Sequence, residues 1–378
     1  MIKLKMIESV FYILFSFIVV FPFIPSLIPS SDTQPLLTFV FILYMIIGCH
    51  FVDSKLKIVL NRNIYFFLFF IVIVLINFIL NIYFFSNVPV YSRYFAFIQF
   101  LIAVFLGLFI KVKINPKWFT YVLICYSFFT VIYFLTNGFL ENQLILSRDT
   151  ESSDLFNIGR GARTLAPEPS FFALHLFNLF VINSILKPVV SNRIKILNFS
   201  LLAVLLLSSL SGYGILILFV IFLVQYPQKV FLFFFIILML FPIFFEKLQQ
   251  FENFRSAQLL IKIFTENPLS LVSSDASIAS RFLSFTNYIE SIQDNLLLGD
   301  NFSVLEGGGL IGLISGLGLI GIIYSIILFI KVFNYILFPK LFIILFFWVF
   351  LNFVSGPFGV PAFGIVIGLI LRNKQISF

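Results

Sequence analysis

Glu168 stands between Pro167 and Pro169, five residues after Arg163 and seven before His175, in the stretch RTLAPEPSFFALHLF (163–177). Two prolines restrict the backbone on either side, and Pro169 suits the first position of a helix. A carboxylate at a helix start is favoured by the helix dipole, by about 0.3–1 kcal/mol. That is a structural role. A chemical role stands beside it, because a general base or acid must be held within hydrogen-bond reach of its proton. His175 lies two turns deeper on the face that carries Glu168. An imidazole inside an apolar segment either marks function or bonds a neighbouring helix.

Four arginines, Arg93, Arg160, Arg163 and Arg281, are candidates for holding an anion. Guanidinium forks match phosphate geometry and act most strongly where water is scarce. Arg160 and Arg163 flank glycine in GRGAR, where the backbone can approach a bulky ligand. The alternative is that they pair with Asp149, Glu151 and Asp154, or snorkel to lipid headgroups. Arg281, Ser284 and Tyr288 share one face of an expected helix. In LEGGGLIGLISGLGLIG (305–321), Gly308, Gly312 and Gly316 recur every fourth residue. This spacing points first to close helix packing. Gly308 at a helix start also offers free backbone N–H groups to a pyrophosphate. Glu306 just before it would then oppose the anion or serve as a second acid–base group.

Apolar helices must position these groups. The chain has 378 residues, 61% of them hydrophobic and 11% charged, with 57 phenylalanines. Soluble domains carry about 25% charged residues. Apolar runs recur from end to end, each about long enough to cross a ~30 Å hydrocarbon core. The expected fold class is an all-α polytopic membrane protein. About twelve transmembrane helices are expected, near 6–28, 35–52, 64–85, 92–110, 117–136, 168–186, 194–209, 212–226, 230–245, 307–330, 341–355 and 358–371. The first is expected to be a retained anchor, bent near Pro22, Pro25 and Pro29, because no small-residue cleavage site follows it. Cys49 and Cys125 fall inside expected spans and read as neither disulfide nor metal ligands.

Charge orients the bundle. Placing Lys and Arg in cytoplasmic loops puts 16 of the 24 inside, from Lys3 through Lys117, Arg193, Lys195 and Lys229 to Lys374, with both termini cytoplasmic. The opposite orientation leaves eight. Of the 16 acidic residues, all but Glu8 and Asp53 then fall outside. Polar structure therefore gathers on the external face, in two long loops at 137–167 and 246–306. The second is expected to hold amphipathic helices, with stripes Leu248–Phe251–Phe254–Leu259–Ile263 and Phe282–Phe285–Ile289–Ile292. SGYG (211–214) and GPFG (356–359) are expected as tight outer turns.

The net charge of +8 is spread over short loops and does not point to nucleic acid. No phosphate-binding P-loop, metal-ligand spacing or Gly-x-Ser-x-Gly elbow is present. A nucleotide-dependent enzyme would need a soluble cytoplasmic domain, and every expected inner loop is short. Chemistry is expected on the outer face, without cofactor or metal, on a lipid-linked substrate.

GARTLAPEPSFFA, together with SRFLSFTNYIESIQDNLLLGDN and the following GGLIGLISGLGLIG, resembles the O-antigen polymerase (Wzy-type) and ligase group of bacterial membrane glycosyltransferases. The twelve-span layout with two long external loops is similar as well. The resemblance implies a C-type glycosyltransferase-like fold in the cell inner membrane. It also implies metal-independent transfer of a growing glycan from undecaprenyl diphosphate to a new lipid-linked repeat unit, with a chain-length regulator protein as a partner. For such a reaction Arg163 and Arg281 are expected to hold the diphosphate, assisted by Arg160 and Arg93, and Glu168 to serve as the base or acceptor-orienting group. His175, Tyr288, Glu306 and Gly308 complete the expected substrate site. Ligases of the group carry a histidine–asparagine pair where this chain has NFSVLEGGG, which favours polymerase over ligase. A lipid-oligosaccharide flippase is the rival from another class; it needs polar residues inside its spans. A membrane acyltransferase using His50 beside Asp53 is a further alternative.

Overall fold

A backbone removed from water must bond to itself, and a helix does so within one segment. The computed structural model follows that rule. It describes residues 43, 62–85, 91–109, 115–136, 138, 161–162, 164–166, 168–186, 188–229, 296–299, 309–334, 339–355 and 360–372. Among these no strand occurs. The helices are α1 (Arg62–Phe85), α2 (Tyr91–Phe109), α3 (Trp118–Thr136), α4 (Pro169–Leu186), α5 (Asn192–Ser208), α6 (Gly212–Gln225), α7 (Gly309–Asn334), α8 (Pro339–Ser355) and α9 (Pro361–Arg372). Each coincides within a few residues with an expected apolar span. The expected spans 6–28 and 230–245 lie outside the described residues, as does 35–52 apart from the helical Leu43. The amphipathic helices expected within 246–292 also lie outside them.

Two described helices, α3 and α4, are long and apolar enough to cross a membrane. In the expected span ten, α7 is broken at Gly318. In the expected span twelve, α9 is helical over 12 described residues, a rise of about 18 Å.

Residues Pro361 to Leu371 of α9 are all buried, so this helix, apolar on every side, forms the centre of the bundle. It lies parallel to α2 at backbone contact. A Cβ on Gly364 would stand 2.7 Å from the Cβ of Ala103, and one on Gly368 would stand 2.7 Å from the Cα of Gly107 and strike the Val104 carbonyl. Small residues four apart on both helices allow this approach. Replacing Gly368 with leucine should therefore force the helices apart and cost at least the ~1–3 kcal/mol typical of overpacking. The melting midpoint of the detergent-purified protein should fall; an unchanged midpoint would contradict the packing.

The outward faces are as apolar as the core. Leu68, Val72, Leu75, Ile79 and Ile82 form an exposed stripe on α1, and Tyr121, Ile124, Phe128, Val131 and Leu135 another on α3. No Lys, Arg, Asp or Glu whose burial is described is buried.

Charge separates along the bundle. Thr120 near the start of α3 donates to Asn198 near the start of α5 at 2.7 Å. The ring of Tyr226, just past the end of α6, meets Phe199 edge-on at 5.6 Å. These contacts bring Lys117, Arg193, Lys195 and Lys229 to one end of three packed helices. At the other end of α5, the Ser208 carbonyl accepts from Ala162 N–H at 2.8 Å, in the segment leading to Glu168. The rise of α5 between these ends is about 25 Å.

Candidate functional site

The segment before α4 is docked into the bundle. Gly161, Ala162, Thr164, Leu165 and Ala166 are all buried. Gly161 lies against the backbone of Ser208 and Ser209. Its open face is therefore filled by protein, which corrects the expectation that the glycine of GRGAR leaves room for a ligand at this point. Thr164 has a positive φ of 47°, uncommon for a residue with a side chain. Its buried hydroxyl has no hydrogen-bond partner. Strain of this kind persists only where the surroundings impose it.

The opposing turn also differs from expectation. The turn between α5 and α6 falls at Ser209–Ser211, with Leu210 at φ 44°, and SGYG already opens α6. Ser211 caps that helix by accepting from Gly214 N–H at 3.0 Å. Ser209, fully buried, donates to the Leu206 carbonyl at 2.6 Å.

Glu168 terminates this docked segment. Its carbonyl accepts from Phe172 N–H at 3.0 Å, the first bond of α4, so the residue occupies the N-cap position. Its Oε2 accepts from the Ser170 hydroxyl at 3.2 Å. The carboxylate is half-buried and is the only acidic group among the described residues. One oxygen is oriented by Ser170, and the cap geometry anticipated from Pro169 is present.

His175 does not meet Glu168. Seven residues of helix separate them by about 10 Å, and the imidazole is 1% exposed, with its ring edge toward Tyr126 at 5.9 Å. One turn further in, Trp348 Nε1 donates to Asn178 Oδ1 at 2.6 Å. Asn178 Nδ2 donates to Asn352 Oδ1 at 3.2 Å, and Asn352 Nδ2 to the Trp348 carbonyl at 2.9 Å. This closed network ties α4 to α8. Polar networks of this type are worth most when every member is satisfied.

A second polar locus escaped the sequence reading. At Gly318 the backbone turns to φ 56°, ψ −135° and splits α7 into 309–317 and 319–334. The Leu296–Gly299 segment, at the end of the second long loop, packs into the break. Leu319 N–H donates to the Leu296 carbonyl at 2.7 Å. From α1, Asn77 Nδ2 reaches the carbonyls of Leu298 at 3.0 Å and Leu317 at 3.4 Å. Asn81 Nδ2 bonds the Leu298 carbonyl at 3.0 Å and Asn77 Oδ1 at 2.6 Å. Both asparagines are buried. Carbonyls freed by a helix break must find donors when no water is near, and the two amides supply them. The available signal was an asparagine pair at i, i+4 inside an apolar run. Of the glycine stripe, Gly312 and Gly316 are buried; further along α7, Gly321 sits against Leu313 and Ile314.

Of the other expected site residues, Arg93 lies in the first turn of α2. Arg160, Arg163, Arg281, Tyr288, Glu306 and Gly308 lie outside the described residues. Cys125 is a free, half-buried thiol, and Cys49 lies outside the described residues. Among the described residues no group of three or more His, Cys, Asp and Glu gathers in metal-binding range.

Comparison with protein-family models, with curated proteins and with solved structures gives no match.

Proposed function

We propose that the chain is a multi-pass inner-membrane glycosyltransferase of the O-antigen polymerase type, with about twelve spans and both termini cytoplasmic. It joins undecaprenyl-diphosphate-linked repeat units on the outer face. The observation that carries this reading is the placement of Glu168. The half-buried carboxylate is held by a docked backbone and by Ser170 at one end of the bundle, with Lys117, Arg193, Lys195 and Lys229 gathered at the other end of α5. Apolar stripes on α1 and α3 support a surrounding bilayer.

In this mechanism a hydroxyl of the incoming lipid-linked unit attacks the anomeric carbon of the growing chain. The bond to the diphosphate oxygen breaks, and the carrier leaves as undecaprenyl diphosphate. Arg163 and Arg281, with Arg160 and Arg93, neutralise the departing charge, a stabilisation that needs fixed donors. Glu168 orients the acceptor hydroxyl and receives its proton.

One observation favours a second reading. A broken helix with polar groups at its break is a recurrent feature of substrate sites in transporters, and the Gly318 break with Asn77 and Asn81 has that form. The second reading is therefore a lipid-oligosaccharide flippase. Deleting the gene and analysing lipid-linked and surface glycans separates the readings. A polymerase deletion leaves single repeat units, a flippase deletion removes surface glycan, and a ligase deletion leaves long chains on the carrier. Full-length surface polymer in the deletion strain would refute all three.

A further inference from the structure

The break in α7 leaves one oxygen without a donor. Asn77 commits both amide hydrogens, one to the Leu298 carbonyl and one to that of Leu317. Asn81 commits both of its own, to the Leu298 carbonyl and to Asn77 Oδ1. The Leu319 N–H is taken by the Leu296 carbonyl. No donor is left for Asn81 Oδ1, which is buried and has no hydrogen-bond partner among the described residues. Turning the Asn81 amide over does not help, because its oxygen would then face the oxygens of Asn77 and Leu298. Asn81 is 0% exposed and Asn77 1%, and the neighbouring Gly299 and Gly318 are buried. An unmet acceptor in such a place is costly, and calls for a partner.

We propose that this node binds a monovalent alkali cation, sodium or potassium, through Asn81 Oδ1, Asn77 Oδ1 and the Leu317 carbonyl. The hydrogen bonds themselves gather these oxygens. The Asn81 amide sits on Asn77 Oδ1 at 2.6 Å, and the Asn77 amide on the Leu317 carbonyl at 3.4 Å. Oxygen and nitrogen of one amide are about 2 Å apart, so the two side-chain oxygens lie within about 5 Å of each other. The groups with capacity to spare are all acceptors, so the missing partner carries positive charge. A water has two hydrogens for three oxygens, whereas a cation meets all of them at once. Neutral oxygen ligands suit a hard ion, and a divalent one would call for carboxylates; Glu168, on α4, is the only carboxylate among the described residues. Leu317 also ends the first half of α7, where the helix dipole is negative. The positive end of the second half is already covered by the Leu296 carbonyl. Carbonyls at unwound helix segments coordinate sodium in transporters, and rings of carbonyls hold potassium in channels. The inference goes beyond the proposed reaction and does not depend on it, because the node joins α1, α7 and the end of the second long loop.

The test uses the full chain purified in detergent. Its melting midpoint is recorded in sodium, potassium and N-methyl-D-glucamine chloride at one fixed ionic strength. Sodium or potassium should raise the midpoint saturably over N-methyl-D-glucamine, by about 2 °C at roughly tenfold the dissociation constant. Asn81→Ala removes the unpaired oxygen together with two hydrogen bonds. Its midpoint should be lower in every salt, and the ion-dependent rise should vanish. Equal midpoints of the wild-type protein in the three salts would mean that water alone fills the node, and would overturn the inference. A rise undiminished in Asn81→Ala would overturn it too. If Asn81→Ala does not fold, retention of radiolabelled sodium or rubidium by the wild-type protein decides the matter. Saturable retention displaced by the unlabelled ion supports the site; no retention of either ion sinks it. Glycan analysis of the deletion strain tests the proposed reaction separately. Its failure would leave the ion site standing, and a midpoint indifferent to ions would leave the reaction standing.

Discussion

Valine in place of Gly318 should leave little or no folded protein. At φ 56°, ψ −135° a β-branched residue is a strong outlier, and holding one in such a region costs about 1–3 kcal/mol. Space is lacking as well. A Cβ would stand 2.5 Å from both the Leu296 carbonyl oxygen and the Gly299 nitrogen, so the inserted segment must withdraw, which adds about 1–3 kcal/mol of overpacking. Withdrawal breaks the Leu319–Leu296 bond and leaves the buried amides of Asn77 and Asn81 without the Leu298 carbonyl. Each buried polar group so stranded costs about 1–3 kcal/mol. The sum is comparable to the whole stability of an ordinary domain, about 5–15 kcal/mol. Size-exclusion chromatography of detergent-extracted protein reads the result. A monodisperse peak at wild-type yield would show that the break is not required. Alanine at the same position should be milder, because it lacks the β-branch, but should still lower the melting midpoint.

The second large effect concerns chemistry. Glu168→Ala should abolish the polymer ladder in a complemented deletion strain while the protein remains in the membrane. Loss of a carboxylate at a helix start costs only about 0.3–1 kcal/mol, and among the described residues Ser170 is the one side-chain partner of Glu168. Loss of a positioned acid–base group, by contrast, typically costs 10²- to 10⁴-fold in rate. Glu168→Gln separates the two roles. Glutamine can still accept from Ser170 and orient a hydroxyl, but it takes no proton at neutral pH. Activity retained in Gln and lost in Ala assigns orientation; activity lost in both assigns proton transfer. If Glu168→Ala and Arg163→Ala both leave the ladder unchanged at normal expression, the site assignment is wrong.

The mouth of α4 and the break in α7 differed in how legible they were. Pro167, Glu168 and Pro169 announce a helix start because proline acts on its immediate neighbours, and the cap lies where that rule places it. The docking of Gly161 onto Ser208 and Ser209 could not be read the same way. A glycine offers room for close approach but does not name what fills it. SGYG misled for a related reason: the glycines open α6, and the positive φ falls on Leu210, which the packing of α5 against α6 forces into the turn. Asn77 and Asn81 looked like isolated polar residues in a greasy helix. Their partners lie more than 200 positions away, and no local pattern points to them.

The amino-acid sequence by itself determined that the described segments are helices, and where each begins and ends to within a few residues. These properties depend on neighbours in the chain: apolar backbone must bond within its own segment. Tertiary structure alone decided that α9 is the buried centre, that α7 breaks at Gly318 to admit Leu296–Gly299, and that His175 is sealed against Tyr126 away from Glu168. Each of these is a contact between segments distant in sequence, and almost every residue involved is apolar or uncharged. In a chain this uniformly hydrophobic, composition makes many helix faces equivalent partners, and only steric fit and the few buried amides choose among them.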